Sequence, residues 1–329
     1  MSKILVKTWY GPLNLLSIIL LPFSLLFFFT ITARKFFYKI GIFKKNKFKT
    51  PIIIVGNLTV GGTGKTPLTI WLYNYFSERG LKVGIISSGY KSSNKNPSII
   101  KDSSSAKIFG DEAVLIYEKT KGYVISGKDR VLATDMMERE FNCDLIIHDD
   151  GLQNYAICRD LEILIVDGKR KFGNGLLLPA GPMRETQKRL YNTDIIVMNN
   201  SSDLDAPAIQ SVNNKVLNSS TSEIINLTEF SGKEIHFVSG IANTMTIELA
   251  LTNNNISYKS HIYPDHHEYS GEEIIFQDDL PVFITEKDYV KLKKNKNKDL
   301  WVMQLEIKPN KEFISKLDKW VDIGVRNEN

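Results

Sequence analysis

The stretch Ile52–Pro67, IIIVGNLTVGGTGKTP, has the residue types of a phosphate-binding loop. An apolar run ends at Gly56, and a glycine-rich segment then leads to Lys65 and Thr66, where a helical pattern begins. Backbone N–H groups of such a turn can surround phosphate oxygens at the N-terminus of the helix. A lysine at this place reaches the β- and γ-phosphates, and a threonine hydroxyl can ligate Mg²⁺. The stretch therefore predicts a site for the phosphates of a nucleotide.

One residue of this loop departs from the usual pattern GxxxxGK[ST], because Thr59 stands where the pattern has its first glycine. An alternative interpretation is a glycine-rich turn with a solvated lysine and no ligand. The order of strand, loop, GKT and helix favours the phosphate loop. The predicted nucleotide-binding residues are Thr59, Val60, Gly61, Gly62, Thr63, Gly64, Lys65 and Thr66.

A second group of candidate residues ends the apolar run of CDLIIHDDG, residues 143–151. Asp149 and Asp150 lie at the carboxyl end of this predicted strand. Nucleotide sites with a phosphate loop need such a carboxylate to hold Mg²⁺ or its water. The alternative is a turn that simply begins with acidic residues, and the pattern leaves open which of the two carboxylates contacts the metal. We predict a Mg²⁺ site formed by Thr66, Asp149 and Asp150.

Apolar runs and helical patterns alternate after residue 50, and this alternation predicts the elements that position both groups. Short apolar runs are typical of buried strands, and the amphipathic stretches between them are long enough for helices. The sequence predicts an α/β fold with a parallel sheet like that of P-loop NTPases, covered by helices on both faces. A smaller second α/β domain and an N-terminal membrane-associated helix complete the prediction.

The chain of 329 residues, 43% of them apolar, is long enough for two domains with cores of their own. Its two cysteines, Cys143 and Cys158, exclude a disulfide framework and fit a reducing compartment. The predicted boundaries give four segments. They are an N-terminal apolar and basic anchor at 1–49, a nucleotide-binding domain at 50–200, a linker at 201–228 and a C-terminal α/β domain at 229–325.

The positive charge of the chain is concentrated at its N-terminus. Residues 1–77 contain ten lysines and arginines and no acidic residue, whereas the remainder contains 32 basic and 37 acidic residues. A nucleic-acid-binding protein would be more uniformly basic, so we expect no nucleic-acid partner. The sequence also indicates no protein partner.

This basic region adjoins Leu13–Ile31, nineteen residues without a charge. As a helix, the run would extend roughly 28 Å, about the thickness of the hydrocarbon core of a bilayer. Seven cations follow it and favour an anionic, cytoplasmic membrane surface: Arg34, Lys35, Lys39, Lys44, Lys45, Lys47 and Lys49. A cleaved signal peptide and a buried core helix are the alternatives. Because Pro22 lies in the run, a straight span, a bent re-entrant segment and an interfacial helix all stay open.

Several short motifs resemble those of one family, the tetraacyldisaccharide 4′-kinases, which phosphorylate a lipid A precursor in Gram-negative bacteria. The resemblance covers nearly the whole chain, with the motifs in family order. They are GNLTVGGTGKTP at 56–67, SSGY at 87–90, GDEA at 110–113, GKDR at 127–130, DDGLQ at 149–153, PAGPMRE at 179–185, PDHHEY at 264–269 and TEKD at 285–288. The family's phosphate loop has the same departure at its first glycine. Two positions differ from the family's usual motifs. Ala113 replaces a proline in GDEA, and Ser88 replaces an arginine in SSGY, so no role is assigned to Ser88.

The resemblance implies phosphorylation by MgATP of the 4′-hydroxyl of a lipid A disaccharide 1-phosphate precursor to give lipid IVA. It places the enzyme at the cytoplasmic face of the inner membrane. It also implies that Asp111 is the base, supported by His266. Lys65 of the phosphate loop is a further catalytic candidate, because its charge would face the γ-phosphoryl group. The family positions near substrate or nucleotide phosphates are Arg130, Gln153, Arg184 and Glu185.

The residues alone leave other interpretations open. Asp111 could cap a helix, and His266 could lie in an exposed turn or a zinc site, although no third ligand is in view. Arg130, Arg184 and Glu185 could instead be surface helix residues or members of ion pairs. A different function, that of a membrane-associated ATPase switching a protein partner, would need the lysine typical of such loops just before the glycine pair, where this chain has Val60.

Overall fold

The computed structural model describes residues 3–90, 92–102, 104–201, 205–241, 243–292 and 299–326. Within these ranges the helices are α1 Lys3–Tyr10, α2 Leu15–Lys39, α3 Lys65–Ser77, α4 Ala106–Phe109, α5 Asp111–Thr120, α6 Arg130–Phe141, α7 Met245–Asn253, α8 Glu286–Leu292 and α9 Lys311–Arg326. The strands there are β1 Ile52–Gly56, β2 Val83–Ser87, β3 Ser98–Ile99, β4 Tyr123–Ser126, β5 Leu145–Asp149, β6 Leu161–Asp167, β7 Ile195–Asn199, β8 Ala208–Asn218, β9 Ile224–Asn226, β10 Glu234–Ser239, β11 Ser257–Ile262, β12 Val282–Thr285 and β13 Leu300–Pro309.

The chain forms two compact units, each built from separate segments. The first unit comprises residues 1–86, 129–210 and 308–329, and the second comprises 87–128 and 211–307. This division differs from the contiguous domains that we predicted, because helix α5 of the segment 87–128 pairs with α8 near the C-terminus. Lys119 on α5 forms an ion pair with Glu286 on α8, and Lys287 on α8 lies 3.0 Å from Glu112 on α5.

The first unit contains the parallel sheet that the alternating pattern predicted. Its strands lie in the order β8, β7, β6, β1, β5 and β2, and each neighbouring pair is parallel. Strands β1, β2 and β5 are buried along their whole length, as expected for a parallel sheet that is shielded from water. The mixed α/β fold with a mostly parallel sheet is therefore confirmed.

The register of this sheet brings the candidate residues to one edge. Val55 in β1 lies opposite Asp149 in β5, and Gly56 lies opposite Leu164 in β6. The loop that follows Gly56 and the acidic residues that end β5 therefore leave the sheet side by side. In open α/β sheets, ligands bind at this carboxyl edge of the strands.

The polar interval 201–228 contains more structure than a linker. Strands β8 and β9 lie within it and pair in antiparallel fashion. In β8, buried and exposed positions alternate in part, and the buried ones include Ser211, Asn213 and Asn218. These polar side chains conceal the periodicity of a strand in the sequence. The chain nevertheless passes from the first unit to the second within the interval, between residues 210 and 211.

The second unit has its own parallel strands and aromatic core. Strands β11, β10, β12 and β13 are neighbours in that order, and each pair is parallel. Phe230 packs edge-on against Phe283 and Trp301, with ring centroids 4.8 Å and 4.9 Å apart. Phe237 and Phe283 are fully buried. The segment predicted as a C-terminal α/β domain thus contains both strands and helices.

Helix α2 has the polarity of a membrane-associated helix. Ser17 and Ser24 are buried, whereas Ile18, Leu26 and Phe29 are 58%, 66% and 59% exposed. The Ser24 hydroxyl donates to the carbonyl oxygen of residue 177 and accepts from the N–H of residue 180, both at 2.9 Å. By length and composition, α2 is a helix able to cross a membrane. Its apolar face is thus left outside the protein, which is the reverse of a soluble surface helix.

Candidate active site

The glycine-rich loop between β1 and α3 adopts the backbone that its glycines allow. Gly61 and Gly64 have φ of +103° and +97°, in the left-handed region that other residues rarely enter. A Cβ atom at Gly64 would lie 2.6 Å from the side-chain nitrogen of Asn199. The loop ends at Gly64 and α3 begins at Lys65, so the N-terminus of α3 directly adjoins the loop.

The structure explains why Thr59 replaces the first glycine. The N–H of Val60 donates to the carbonyl of Pro182 at 2.9 Å, and the N–H of Arg184 donates to that of Leu58 at 2.6 Å. Thr59 itself forms an antiparallel bridge with Met183. The chain is therefore paired like a strand at this point. It has no positive φ at Thr59, and a side chain is tolerated there.

Lys65 and Asp150 meet above the carboxyl edge of the sheet. The Lys65 ammonium donates to Oδ1 of Asn57 at 3.3 Å and lies 3.8 Å from Oδ1 of Asp150. Arg184 donates to both oxygens of Asp150, at 3.0 Å and 3.1 Å. Burial alone would raise the pKa of Asp150, but the charges of Lys65 and Arg184 outweigh it and hold the pKa below its usual value. Asp150 is therefore an anion between two cations.

Asp149 is bound differently from its neighbour. Its carboxylate is 1% exposed and accepts hydrogen bonds from Thr66 Oγ1 at 2.9 Å and Thr69 Oγ1 at 3.1 Å. Both hydroxyls belong to the first turns of α3. The structure thus brings together Thr66, Asp149 and Asp150, the three predicted metal ligands.

The donor set of these three residues fits Mg²⁺. It consists of two carboxylates and a hydroxyl, the hard oxygen ligands that Mg²⁺ prefers. Among the residues that the structure describes, no group of three or more histidine, cysteine or carboxylate side chains is arranged to hold a metal ion. The described residues therefore give no support to the zinc alternative at His266.

Arg130 and Gln153 connect the backbone at this edge. The Arg130 guanidinium is buried and donates to the carbonyls of Ile86, at 2.7 Å, and of Asp149 and Asp150. Gln153 donates to the carbonyl of Asn57 at 3.0 Å and accepts from Arg184 at 3.4 Å. Arg130 is therefore not a surface residue, and its visible contacts position the ends of β2 and β5.

Glu185 is turned toward the N-terminal helix. It is 1% exposed and forms an ion pair with Lys35 of α2. Tyr155 lies beside it, and burial together with the Glu185 charge raises the pKa of that hydroxyl. The resemblance places Glu185 near a phosphate, but its contacts here join α2 to the segment that carries Arg184.

In the second unit, Asp111 and His266 form a close pair. Oδ2 of Asp111 lies 2.7 Å from Nδ1 of His266, and Lys287 lies 4.0 Å from the same oxygen. Because a carboxylate only accepts hydrogen bonds, Nδ1 of His266 is the donor. Burial would raise the pKa of Asp111, but the hydrogen bond from His266 and the charge of Lys287 hold it below its usual value.

The helix-capping interpretation of Asp111 describes only part of its environment. The cap position of α5 is Gly110, with φ of +92°, and Asp111 is the first helical residue. Oδ1 of Asp111 accepts from the N–H of Glu112 at 2.9 Å, which leaves Oδ2 for His266. His266 is 10% exposed and is therefore not in a fully solvated turn.

Asn57, Asn199 and Lys287 belong to these sites but were not predicted. Asn57 holds Lys65 and donates to the Thr63 hydroxyl at 3.0 Å. Asn199 donates to the carbonyl of Thr63 at 2.9 Å. The one signal in the sequence for Asn199 is its position at the polar end of the apolar run DIIVMNN.

Comparisons with known proteins were made for the whole chain. The family model described as "Tetraacyldisaccharide-1-P 4'-kinase" matches residues 16–322. The tetraacyldisaccharide 4′-kinase of Pseudoalteromonas translucida is 38% identical over 331 residues, which are 99% of each chain. That of Ruthia magnifica is 38% identical over 300 residues, 91% of this chain and 95% of the relative. The crystal structure of LpxK from Aquifex aeolicus in complex with ATP is similar with a TM-score of 0.79 and 28% identity, and the match covers 94% of this chain and 99% of that chain.

The backbone of the loop predicts a large loss of stability for a substitution at Gly64 and a small one for a substitution at Gly62. Gly64→Ala should lower the free energy of unfolding by about 2 kcal/mol, because the new side chain meets Asn199 and the left-handed backbone disfavours it. Gly62→Ala is the control, since a Cβ atom there meets nothing within 4 Å and φ is not positive. Its effect should stay within about 0.5 kcal/mol. Urea denaturation without nucleotide measures both, and equal losses would contradict the described loop.

Proposed function

This chain belongs to the tetraacyldisaccharide 4′-kinase family, and we propose that its residues 59–66 bind the phosphates of ATP for that reaction. The family's reaction is a step of lipid A biosynthesis, so the acceptor is a lipid A disaccharide precursor. The observation that carries the proposal is the position of Lys65 at the start of α3, beside Asp150 at the carboxyl edge of the sheet. The family match favours this function over the nucleotide switch.

The resting contacts of Lys65 and Asp150 suit an exchange of partners. A polyphosphate on the loop would attract Lys65 from Asp150. The carboxylate would then be free to ligate a cation, while Arg184 still limits its movement. Thr66 and Asp149 would complete the set of oxygen ligands. Bound Mg²⁺ would neutralise phosphate charge, which is the largest requirement of phosphoryl transfer.

In the transfer itself, the 4′-oxygen of the acceptor forms a bond to the γ-phosphorus while the bond from that phosphorus to the bridging oxygen of ADP breaks. We assign the proton of the hydroxyl to Asp111. This carboxylate is ionised at neutral pH because its pKa is low, and His266 orients it through the 2.7 Å hydrogen bond. General-base assistance of this kind contributes about 10²–10⁴-fold to rate.

The remaining predicted contacts differ in their partners. Arg184 presents part of its side chain to solvent and touches Asp150, so a phosphate contact from it is compatible with its position. Arg130, Gln153 and Glu185 have backbone or helix partners, and we propose that they act by positioning the residues around Asp150.

We place the enzyme at the cytoplasmic face of the inner membrane. The apolar side chains of α2 are exposed, and six cations of the following segment are exposed beside them: Arg34, Lys39, Lys44, Lys45, Lys47 and Lys49. Ser24 and Lys35 of α2 contact the segment that contains residues 177–185, which favours a helix lying in one leaflet over a span through the bilayer.

The kinase assignment is tested by transfer of label from [γ-³²P]ATP to a lipid A disaccharide 1-phosphate in detergent micelles. Wild type should produce a labelled lipid, and Lys65→Ala should lower turnover by about 10²–10³-fold, because a cation facing the transferred group is lost. Lys188→Ala removes an exposed lysine of the same unit and should leave the rate unchanged. Near-normal turnover of Lys65→Ala at saturating MgATP would contradict the assignment of the loop.

The Asp111–His266 pair should behave as one unit in kinetics. Asp111→Asn and His266→Ala should each lower kcat by about 10²-fold or more, with KM for ATP little changed. The double variant should be scarcely slower than the slower single variant, because residues that act together lose their benefit together. Multiplicative losses, or losses that follow thermal stability, would count against a shared proton acceptor.

Membrane attachment through α2 should depend on its exposed face. Leu26→Asp with Phe29→Asp should shift the protein away from anionic phosphatidylglycerol vesicles in flotation, because charged groups enter an acyl environment at high cost. Leu132→Asp is the control, since Leu132 is 54% exposed but lies on α6. Unchanged flotation of the α2 variant would contradict this attachment.

A further inference from the structure

The first helix of the chain touches the phosphate loop. The Tyr10 hydroxyl, at the end of α1, donates to the carbonyl of Val60 at 3.2 Å. Trp9 is 4% exposed, and its indole N–H donates to the carbonyl of Pro179 at 2.8 Å. The carbonyl of Trp9 accepts from the N–H of Asn174 at 2.7 Å. These contacts fix α1 against the loop that follows β6.

Arg170 contacts both α1 and the phosphate loop. Its guanidinium donates to the carbonyl of Gly62 and, through Nε, to Oδ2 of Asp167 at 2.8 Å. The same guanidinium lies 5.3 Å from the centre of the Tyr10 ring, within the range of a cation–π interaction. Asp167 is also held in place, because its other oxygen accepts from the N–H groups of Lys169 and Arg170. Arg170 is thus fixed at two points rather than free in solvent.

Together with Asn199, these residues hold three peptide planes of the loop by their carbonyls. Tyr10 holds that of Val60, Arg170 that of Gly62 and Asn199 that of Thr63. In a trans peptide, the N–H of the next residue points away from the carbonyl. The N–H groups of residues 61, 63 and 64 therefore point away from the three donors. Within the described part of the chain, none of these three N–H groups donates to a backbone carbonyl.

We propose that Tyr10 and Arg170 are positioning residues for ATP, and that through Tyr10 the membrane-associated N-terminal helices set the affinity of the loop. The inference rests on the proposed assignment of residues 59–66 to the ATP phosphates. Carbonyls bound by outside donors keep the N–H groups oriented before the nucleotide arrives, so less order has to be gained on binding. A cation on the Gly62 carbonyl also polarises that peptide and strengthens the N–H of Thr63 as a donor.

The test measures the dissociation constant of ATP by calorimetry in detergent micelles. Tyr10→Phe keeps the ring and removes the hydroxyl with its neutral hydrogen bonds to the Val60 carbonyl and the Thr59 side chain, so the constant should rise about threefold to tenfold. The rate at saturating ATP, flotation with vesicles and thermal stability should stay at wild-type values. Tyr38→Phe is the matched control, because it removes a hydroxyl from α2 and keeps the ring packed on Phe43.

Arg170 separates positioning from simple attraction of charge. Arg170→Ala should raise the constant by about tenfold to a hundredfold, since a charge-assisted hydrogen bond is lost. Arg170→Lys keeps the charge but cannot hold Asp167 and Gly62 with one planar fork, so it should recover only part of the affinity. Full recovery by Arg170→Lys would overturn the positioning role of Arg170.

Lys65→Ala, measured beside these variants, distinguishes failure of this inference from failure of the proposed site. If Lys65→Ala weakens ATP binding and Tyr10→Phe does not, the role of Tyr10 is wrong and the phosphate loop stands. If Lys65→Ala also leaves ATP binding unchanged, the loop assignment is wrong and the inference falls with it. An equal effect of Tyr10→Phe and Tyr38→Phe would likewise contradict a contact specific to the loop.

Discussion

A buried carboxylate must have positive or hydrogen-bonding partners, and this constraint organises both candidate sites. Asp150 lies between Lys65 and Arg184, and Asp149 accepts from two hydroxyls of α3. Asp111 has His266 and Lys287. Burial alone would favour the neutral form of such acids, but their partners hold the pKa of Asp150 and of Asp111 below its usual value. Phosphoryl transfer needs the same kinds of group, since a cation can bind phosphate and a hydroxyl can ligate a metal ion.

The same constraint connects the membrane helix to the site. Glu185 is fully buried and has Lys35 of α2 as its cation. Arg184, the preceding residue, holds Asp150. Ser24 of α2 binds the backbone of the same segment at residues 177 and 180. Helix α2, which we place in the lipid, therefore supports the segment 177–185. That segment carries Arg184, which orients the proposed metal ligand Asp150.

Much of this arrangement could be predicted from the sequence, because it depends on local patterns. The apolar run of β1, the glycines, and the GKT that opens α3 are contiguous, and the acids that end β5 follow directly from their strand. The apolar length of α2 is equally local. Contacts between distant residues could not be predicted in this way. Tyr10 and Val60 are fifty residues apart, Asn199 and Thr63 are 136 apart, and the pairing of α5 with α8 divides the chain into interleaved units. Strand β8 was missed for a different reason, since its buried side chains are polar.

We propose that Lys65 and Asp150 belong to a MgATP site. A crystal structure of the protein with Mg²⁺ and a non-hydrolysable ATP analogue tests it most directly. We expect the Lys65 ammonium to leave Asp150 for a phosphate oxygen. The Thr66 hydroxyl and a carboxylate oxygen of Asp149 or Asp150 should ligate Mg²⁺, and N–H groups of residues 61–64 should face the phosphates. An analogue bound elsewhere, with Lys65 still 3.8 Å from Asp150, would contradict it.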